Sequence, residues 1–383
     1  MEKQKQSVMK NIQFTGAFAV ASVLFSSHAG GGFATGNQAT QYYVKFGWTA
    51  PFMALIAMAL LTLTIRECII MYNSRGLGSY KELFETLYHP FDKLSILFDI
   101  YFYIMVLCAV GAVIAGAASL LTKTYSLPYV YAVLSIGVML LALTIFGAAM
   151  VSRVSTFMSI GILTSCAIIF IMGINAKFPE IKTIFTVRES SGNIFQGILK
   201  AFTYAGFQSV VIPTMISCGK TLKNKKDVSR SMMIAFVINS AALALSVIML
   251  LGWYGEFTAA GESTLPSLYI TKQLGRPYVY WAYNISLFLC FISTGVTTIY
   301  GFVEKFEKIK VLSVINKVIV RRIIVSSFIM ALSMGISLVG LDKIVKYGYG
   351  YMGYLGIAII IVPFLTVGAY KNRKYLKENY NNT

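Results

Sequence analysis

This chain of 383 residues has little charge, few prolines and few histidines. Charged residues make up 13% of it, and it contains 8 prolines, 5 cysteines and 2 histidines. Soluble domains carry about 25% charged residues, so half that fraction excludes an ordinary soluble protein. The cysteines are far apart, and the sequence has no P-loop, HExxH motif or Cys/His metal spacing. We therefore expect neither an enzyme nor a protein with a resident cofactor.

Long apolar runs take the place of the missing charge, and 57% of the residues are hydrophobic. Ten segments come close to the roughly 20 residues that a helix needs to cross a bilayer. We predict an all-α membrane protein with ten transmembrane helices, at 13–37, 46–72, 94–122, 128–150, 154–175, 194–217, 230–254, 278–303, 322–341 and 345–370.

The positive charge has an uneven distribution. Most of the 33 Lys and Arg residues fall in loops and tails that share one side of the membrane if the N-terminus is inside. This bias fits the positive-inside rule. It predicts a plasma-membrane protein with both termini cytoplasmic and a basic cytoplasmic tail at 371–383. The net charge of +18 is then a signal of topology and of contact with the lipid bilayer, and no nucleic-acid partner is expected.

The first apolar segment is interrupted by Ser26, Ser27 and His28, followed by Ala29 and the glycines at 30–32. Three consecutive glycines cost about 3 kcal/mol of helix propensity relative to alanine. Broken backbone at membrane depth is tolerated mainly where it lines a cavity. Its carbonyls can coordinate a cation, and the half-helix that follows Gly32 can bind an anion. The break predicts a site for a zwitterion such as an amino acid; the alternative is that the glycines only allow tight helix packing.

The N-terminus permits one further interpretation. A basic start, an apolar run and the sequence Ser27-His28-Ala29 resemble a signal peptide with a small-x-small cleavage site. Its removal would leave nine spans.

The sixth segment, 194–217, is also interrupted, between Phe202 and Ser209. Gly206 and Pro213 weaken the helix, and Gln208 adds a polar group at mid-depth. Interrupted segments at corresponding positions in two halves are typical of inverted-repeat transporters. We therefore predict a 5+5 inverted repeat with discontinuous helices 1 and 6, formed by the units 1–175 and 176–370.

The eighth segment concentrates hydroxyl groups between Ser293 and Thr298. Thr294, Thr297 and Thr298 share one helix face. Hydroxyl and carbonyl oxygens without a carboxylate suit an exchangeable sodium ion. The alternative is that each hydroxyl bonds to a carbonyl of its own helix.

His28 is the histidine placed within the membrane, since His89 lies in a loop. An intramembrane ionisable residue suggests function, so His28 could contact substrate or relay protons; it could equally be neutral and satisfied by nearby backbone. No carboxylate or lysine occurs at mid-depth in the ten segments, which disfavours a carboxylate-relay proton pump. Aromatic residues that could line a pocket are Phe33, Tyr101, Tyr103, Tyr204 and Phe207.

The segment Gly31-Gly32-Phe33-Ala34-Thr35-Gly36-Asn37-Gln38 resembles the GAGFASGQE-like segment of the YkvI-type putative amino-acid permeases. That family belongs to the amino acid–polyamine–organocation superfamily, and the resemblance implies its LeuT-type fold. It also implies that Gly30, Gly31 and Gly32 are the glycine motif of the unwound first helix. A sodium site would then be formed by Ser26, Ala29, Thr294, Thr297 and Thr298.

The resemblance extends to the sixth segment, where residues 202–208 are similar to the Trp-Ala-Phe-x-Gly-x-Glu pattern. Gln208 replaces the acidic residue of that pattern, and His28 stands where relatives have an apolar residue. The missing acid at Gln208 argues against acid-gated or proton-linked behaviour. The imidazole at His28 argues against the ordinary substrate range of the family.

The expected function is secondary active transport of a small amino acid or related amine-bearing solute, coupled to sodium. The alternatives are proton-coupled or facilitative transport that uses His28, and a non-transporting receptor or channel. The sequence predicts neither the substrate nor the oligomeric state. The expected substrate contacts are His28, Ala29, Gly30, Gly31, Gly32, Phe33, Tyr103, Tyr204, Phe207 and Gln208.

Overall fold

The protein is built from helices. The computed structural model describes residues 16–306, 312, 315 and 317–380, and every regular element within those ranges is helical. The predictions for the basic N-terminal residues 1–15, the loop residues 307–311 and the last residues 381–383 lie outside this description.

The α-helices are numbered here in chain order. They are α1 Gly16–His28, α2 Gly31–Ala34, α3 Asn37–Tyr42, α4 Ala50–Ser74, α5 Tyr80–Tyr88, α6 Ile96–Tyr125, α7 Tyr129–Ala142, α8 Ala148–Ala176, α9 Phe178–Val187, α10 Ile194–Gln208, α11 Ile212–Gly219, α12 Lys225–Ala259, α13 Pro266–Gln273, α14 Pro277–Phe306, α15 Val318–Ser337, α16 Leu341–Lys343, α17 Gly350–Gly356 and α18 Ala369–Tyr380. Short 3₁₀ segments occur at Val44–Thr49, Asp92–Ser95 and Ser209–Val211, and π-helical segments at Leu143–Gly147, Ile344–Tyr349, Ile357–Ile361 and Phe364–Gly368.

Seven helical stretches in the described ranges are long and apolar enough to cross a membrane: Val44–Ser74, Asp92–Tyr125, Tyr129–Phe146, Lys225–Ala259, Pro277–Val303, Val318–Ser337 and Leu341–Glu378. An eighth candidate is formed by Ile160–Ala176 and Phe178–Val187, which are bent by 72°. The chain is therefore a multi-pass membrane protein. The predicted first and sixth spans are not among these stretches, because each is divided into helices too short to cross a membrane alone.

The interruption of the first segment is confirmed. Helix α1 ends at His28, Gly30 is extended with a ψ of −172°, and α2 begins at Gly31. This half-helix begins earlier than predicted, at Gly31 rather than after Gly32. It is also interrupted a second time at Gly36, whose φ of 78° lies in the left-handed region that favours glycine.

The interruption of the sixth segment is confirmed, but its position differs from the prediction. Helix α10 continues through Gly206 to Gln208, and the break is the 3₁₀ turn at Ser209–Val211. Gly206 stays helical because its missing side chain serves packing: a Cβ there would collide with the carbonyl oxygen of Gly353.

The fourth and fifth segments are joined differently from the prediction. A loop was expected at 151–153, yet helix continues from α7 through the π-helical Leu143–Gly147 into α8. The physical reason is local, since no glycine or proline occurs between Ala148 and Ser159 to end a helix.

Contacts between distant segments define two ends of the bundle. One end, called the Glu67 end, is marked by the contact between Asn372 Nδ2 and Glu67 Oε2 at 2.9 Å, which joins α4 to α18. Asn73 Nδ2 lies 2.8 Å from the carbonyl oxygen of Gly219, which adds α11 to this end.

The opposite end, called the Asp342 end, has its own polar contacts. Asn37 Nδ2 donates to Asp342 Oδ1 at 2.6 Å, and Thr264 Oγ1 donates to Asp342 Oδ2 at 2.5 Å. The amide of Ser267, in α13, donates to the carbonyl of Thr35 at 3.1 Å. The short helix α13 thus lies over the half-helix that follows the first break.

Alanine substitutions test the close packing of α10 against α17. Gly206→Ala and Gly353→Ala each place a Cβ on facing backbone, and we expect each to lower the free energy of unfolding by about 1–3 kcal/mol. Gly255→Ala is the matched control, because a Cβ there meets nothing within 4 Å. In thermal unfolding in detergent, the transition temperature should fall for Gly206→Ala and Gly353→Ala. It should stay unchanged or rise slightly for the control. Equal behaviour of all three variants would contradict this packing.

Candidate functional site

His28 is the centre of a buried hydrogen-bonded chain. Its side chain is only 3% exposed, with Nδ1 2.9 Å from Asn239 Oδ1 and Nε2 2.8 Å from the Tyr204 hydroxyl. These contacts join α1 to α12 and α10. The predicted candidates His28 and Tyr204 are therefore brought together, and the break in the first segment is linked to the helix that precedes the break in the sixth.

The orientation of Asn239 fixes one proton of His28. Asn239 Nδ2 donates to the carbonyl of Ala235 at 2.7 Å, so Oδ1 is the atom that faces the imidazole. A carboxamide oxygen only accepts hydrogen bonds. The Nδ1 atom of His28 must therefore carry a hydrogen, and the second nitrogen, Nε2, is the one that can gain or lose a proton.

The chain continues beyond Tyr204. The Tyr204 hydroxyl lies 3.2 Å from Gln38 Oε1 and 3.5 Å from Gln208 Nε2. The Gln38 carboxamide packs against Gly32, where a Cβ would collide with it. A side chain at position 32 would therefore displace the Gln38 carboxamide.

The break itself exposes polar backbone of both signs. The amides of Gly30, Gly31 and Gly32 lie at the start of α2, and no acceptor within the described ranges receives them. On the other side, α1 ends with the carbonyls of Ser27 and His28, while the Ala29 amide donates to Phe25 at 2.8 Å. A helix N-terminus with free amides attracts an anion, and free C-terminal carbonyls attract a cation.

Aromatic rings surround this polar group. Phe33 lies 5.4 Å from the His28 ring between centroids, and Phe207 lies 4.8 Å from Tyr204. Tyr349 stacks on Phe207 at 4.9 Å. Apolar walls with a few convergent polar groups are the usual make-up of a small-molecule site.

The oxygens predicted to bind sodium are only partly brought together. Thr294 lies beside the break, with Oγ1 3.9 Å from where a Cβ on Gly30 would be. Thr297 is exposed and donates to the Ser293 carbonyl of its own helix at 2.8 Å, and Thr298 is partly buried. Ser26 is exposed and donates to Val23 at 3.1 Å. The sodium ligand set therefore stays a prediction.

Some site residues differ from the sequence-based set. Tyr103 packs instead against Phe302 and Phe306, at 5.7 and 5.3 Å. Gln38 and Asn239 were not selected, although each is a buried amide in or beside an apolar run. A search for uncharged polar residues at mid-depth would have found Asn239.

Comparison with known proteins supports the fold. A Na⁺-coupled sialic acid symporter in a substrate-bound outward-open state is 12% identical with a TM-score of 0.50, over 93% of this chain and 87% of that one. The manganese transporter of Eremococcus coleocola, bound to an aromatic bis-isothiourea compound, is 12% identical with a TM-score of 0.52, over 96% and 88%. A mutant form of that transporter is 13% identical with a TM-score of 0.51, over 91% and 78%. No protein-family model and no curated protein matches the chain. The chain thus has the overall fold of solved secondary transporters.

A double-mutant cycle tests the His28–Asn239 contact. Asn239→Leu leaves the Nδ1–H group of His28 without an acceptor in a buried position, which should lower the free energy of unfolding by about 1–3 kcal/mol. In a His28→Phe background the same change should cost less, because no donor is left unpaired. Thermal unfolding of the four proteins in detergent measures the difference. An equal loss in both backgrounds would show that the contact does not form.

Proposed function

We propose that this protein is a secondary transporter of a small amino acid or related amine-bearing solute. The observation that carries the proposal is the broken first helix, whose unbonded glycine amides directly follow the buried His28, which is itself hydrogen-bonded to Tyr204 among aromatic rings. The shared fold with transporters supports the same class of function.

The site suits a zwitterion because its polar groups have both signs. The substrate carboxylate would bind the amides around Gly31–Phe33, at the positive end of α2. The amine would bind carbonyls near His28 together with the Tyr204 hydroxyl. Phe33 and Phe207 would then contact the apolar part of the substrate.

The proposed architecture is the ten-helix LeuT-type fold, with five-helix units at 1–175 and 176–370. Two observations support it: the first and sixth segments are both broken, and contacts group the segment ends into a Glu67 end and an Asp342 end. The Glu67 end contains much of the positive charge of the loops and the tail at 371–383. We assign it to the cytoplasm on the positive-inside rule.

Sodium is the first candidate for the coupling ion. The carbonyl of Ala29 belongs to the break itself, and the hydroxyl of Thr294 lies beside the break from α14; such oxygen donors suit a weakly held sodium ion. A proton is the second candidate, favoured by the buried His28–Tyr204–Gln38 chain. Within the described ranges no three His, Cys, Asp or Glu side chains cluster, and a metal cargo is not part of the proposal.

A binding screen tests the substrate class. Purified protein should be stabilised by at least one amino acid and less by the corresponding amine or acid alone, because both ends of the break take part. A ligand present at 100 times its Kd stabilises by about 2.7 kcal/mol, which a thermal-shift assay detects. We also expect proteoliposomes that contain the protein to take up the compound that stabilises it. Binding without uptake would favour a receptor, and conductance far above carrier turnover would favour a channel.

Threonine substitutions test the coupling ion. If sodium binds at α14, Thr297→Ala and Thr298→Ala should strongly raise the sodium concentration that half-maximal uptake requires. Thr366→Ala is a matched control, since this exposed hydroxyl also donates to a carbonyl of its own helix, that of Val362, at 2.7 Å. Uptake by the threonine variants with unchanged sodium dependence would overturn the sodium site, and uptake driven by pH alone would favour the proton.

A further inference from the structure

We propose that the Glu67 end of the bundle contains a binding site for a phosphate group. The site is a cavity between α4, α12 and α18, and each helix brings one positive charge to it, from Arg66, Lys225 and Arg373. The ligand is the phosphate of an anionic lipid headgroup or of a soluble phosphorylated compound. The inference does not depend on the proposed substrate, because this cavity shares no residue with the glycine break.

The cavity has the size of one small anion. Its volume is about 80 Å³. A buried water needs at least about 10–15 Å³, so the cavity has room for several waters or for one tetrahedral group. Besides the three cations, its lining includes the apolar Ile70 and Leu376 and the buried polar side chains of Glu67 and Asn372. A phosphate group therefore fits by size.

The one carboxylate in the lining is already paired. Glu67 Oε1 accepts a hydrogen bond from Arg66 Nη1, and Glu67 Oε2 accepts one from Asn372 Nδ2 at 2.9 Å. Each carboxylate oxygen thus has a donor, and the charge of Arg66 balances that of Glu67. The carboxylate therefore does not neutralise the two remaining cations.

Those two cations have no partner among the described residues. No acceptor or carboxylate of the described chain contacts the side chain of Lys225 or of Arg373. The nearest carboxylates along their helices are engaged elsewhere: Asp227 accepts from the side chain that caps α12 at 2.8 Å, and Glu378 faces Lys374 at 4.0 Å. The cavity therefore has an excess of two positive charges.

Hydrogen bonds hold the walls of the cavity in place. Arg66 Nε donates to Ser229 Oγ at 2.8 Å, which joins α4 to α12 and leaves Nη2 without an acceptor in the part of the chain described. Asn372 Nδ2 also donates to the carbonyl of Glu67 at 3.0 Å, and Asn372 Oδ1 accepts from Arg75 Nη1 at 2.9 Å. A site whose walls are fixed before binding loses less conformational entropy when the ligand enters.

Phosphate is the anion that this arrangement suits best. Its oxygens point in several directions, so it can accept from three helices at once, whereas the two oxygens of a carboxylate lie in one plane. Arginine and lysine are the usual phosphate ligands in proteins. Basic pockets between transmembrane helices on the cytoplasmic side bind phospholipid headgroups. With the Glu67 end in the cytoplasm, an anionic lipid is the first source of the phosphate and a soluble compound is the second.

Binding of inorganic phosphate to the whole purified protein tests the site. Thermal unfolding in detergent is followed while phosphate replaces chloride at constant ionic strength, so that screening does not change. We expect saturable stabilisation of the parent protein. The double variant Lys225→Gln/Arg373→Gln should raise the Kd of phosphate about tenfold or more, because it removes two charged hydrogen-bond donors. Both side chains are exposed, so in chloride this variant should unfold at the parent temperature.

A matched double variant controls for the general effect of charge. Lys226→Gln/Lys377→Gln removes two exposed positive charges from the same two helices, and neither lysine lines the cavity. This control should keep the Kd of the parent protein. Equal weakening in the two double variants would show that phosphate only responds to net charge, and it would overturn the site.

Short-chain lipids distinguish the two sources. Dihexanoyl phosphatidylglycerol is compared with dihexanoyl phosphatidylcholine, which has the same chains without the net negative charge, and glycerol 3-phosphate is the soluble probe. Stabilisation by the anionic lipid that exceeds that by glycerol 3-phosphate supports the site with a lipid as its ligand. Stabilisation by glycerol 3-phosphate and inorganic phosphate alone supports the site with a soluble ligand.

In either case the effect must be lost in Lys225→Gln/Arg373→Gln and retained in the control. If neither phosphate, glycerol 3-phosphate nor the anionic lipid stabilises the parent protein, the inference is wrong. That result leaves the proposed transport function standing, and a failed search for an amino-acid substrate likewise leaves this site intact.

Discussion

The structure depends on one constraint: a broken helix inside a membrane must find partners for its backbone groups, because hydrocarbon offers none. The Tyr101 hydroxyl lies 2.6 Å from the carbonyl of Gly206 and 2.9 Å from that of Phe207, at the break in the sixth segment. Tyr283 donates to Ala34 at 2.7 Å, which satisfies the far end of α2. The amides at Gly30–Gly32 lack such a partner among the described residues, so the backbone left open is the part that we assign to the ligand.

The glycines of the break have separate physical roles. A Cβ on Gly31 would collide with the Phe291 ring, as would one on Gly116 of α6, so the two glycines form a slot for that ring. Gly32 makes room for Gln38, and Gly30 is the extended residue that separates α1 from α2. From the sequence, tight helix packing and ligand binding were alternative roles for the glycine motif. In the structure the two roles are compatible, because packing holds the backbone in place while its amides remain without a hydrogen-bond acceptor among the described residues.

Local composition predicted the all-helical fold and the first break, because three glycines and two hydroxyls weaken a helix wherever it lies. The prediction that Gly206 breaks the sixth segment was wrong. A single glycine is tolerated in a helix when another backbone, here that of Gly353, packs against it. The partnership of His28 with Asn239 joins residues that are 211 positions apart. No periodicity predicts such a pairing, because it depends on how α1 and α12 are aligned.

The contacts of α3 connect the candidate site to the Asp342 end. Gln38 and Asn37 are neighbours on this short helix, one facing Tyr204 and the other bonded to Asp342. Two residues before Asn37, the carbonyl of Thr35 accepts the amide of Ser267 from α13. Because α3 has only six residues, a displacement of this helix away from Asp342 would also change the contact between Gln38 and Tyr204. One short helix therefore carries both a side chain of the candidate site and a side chain of the Asp342 end, so a movement at one changes contacts at the other.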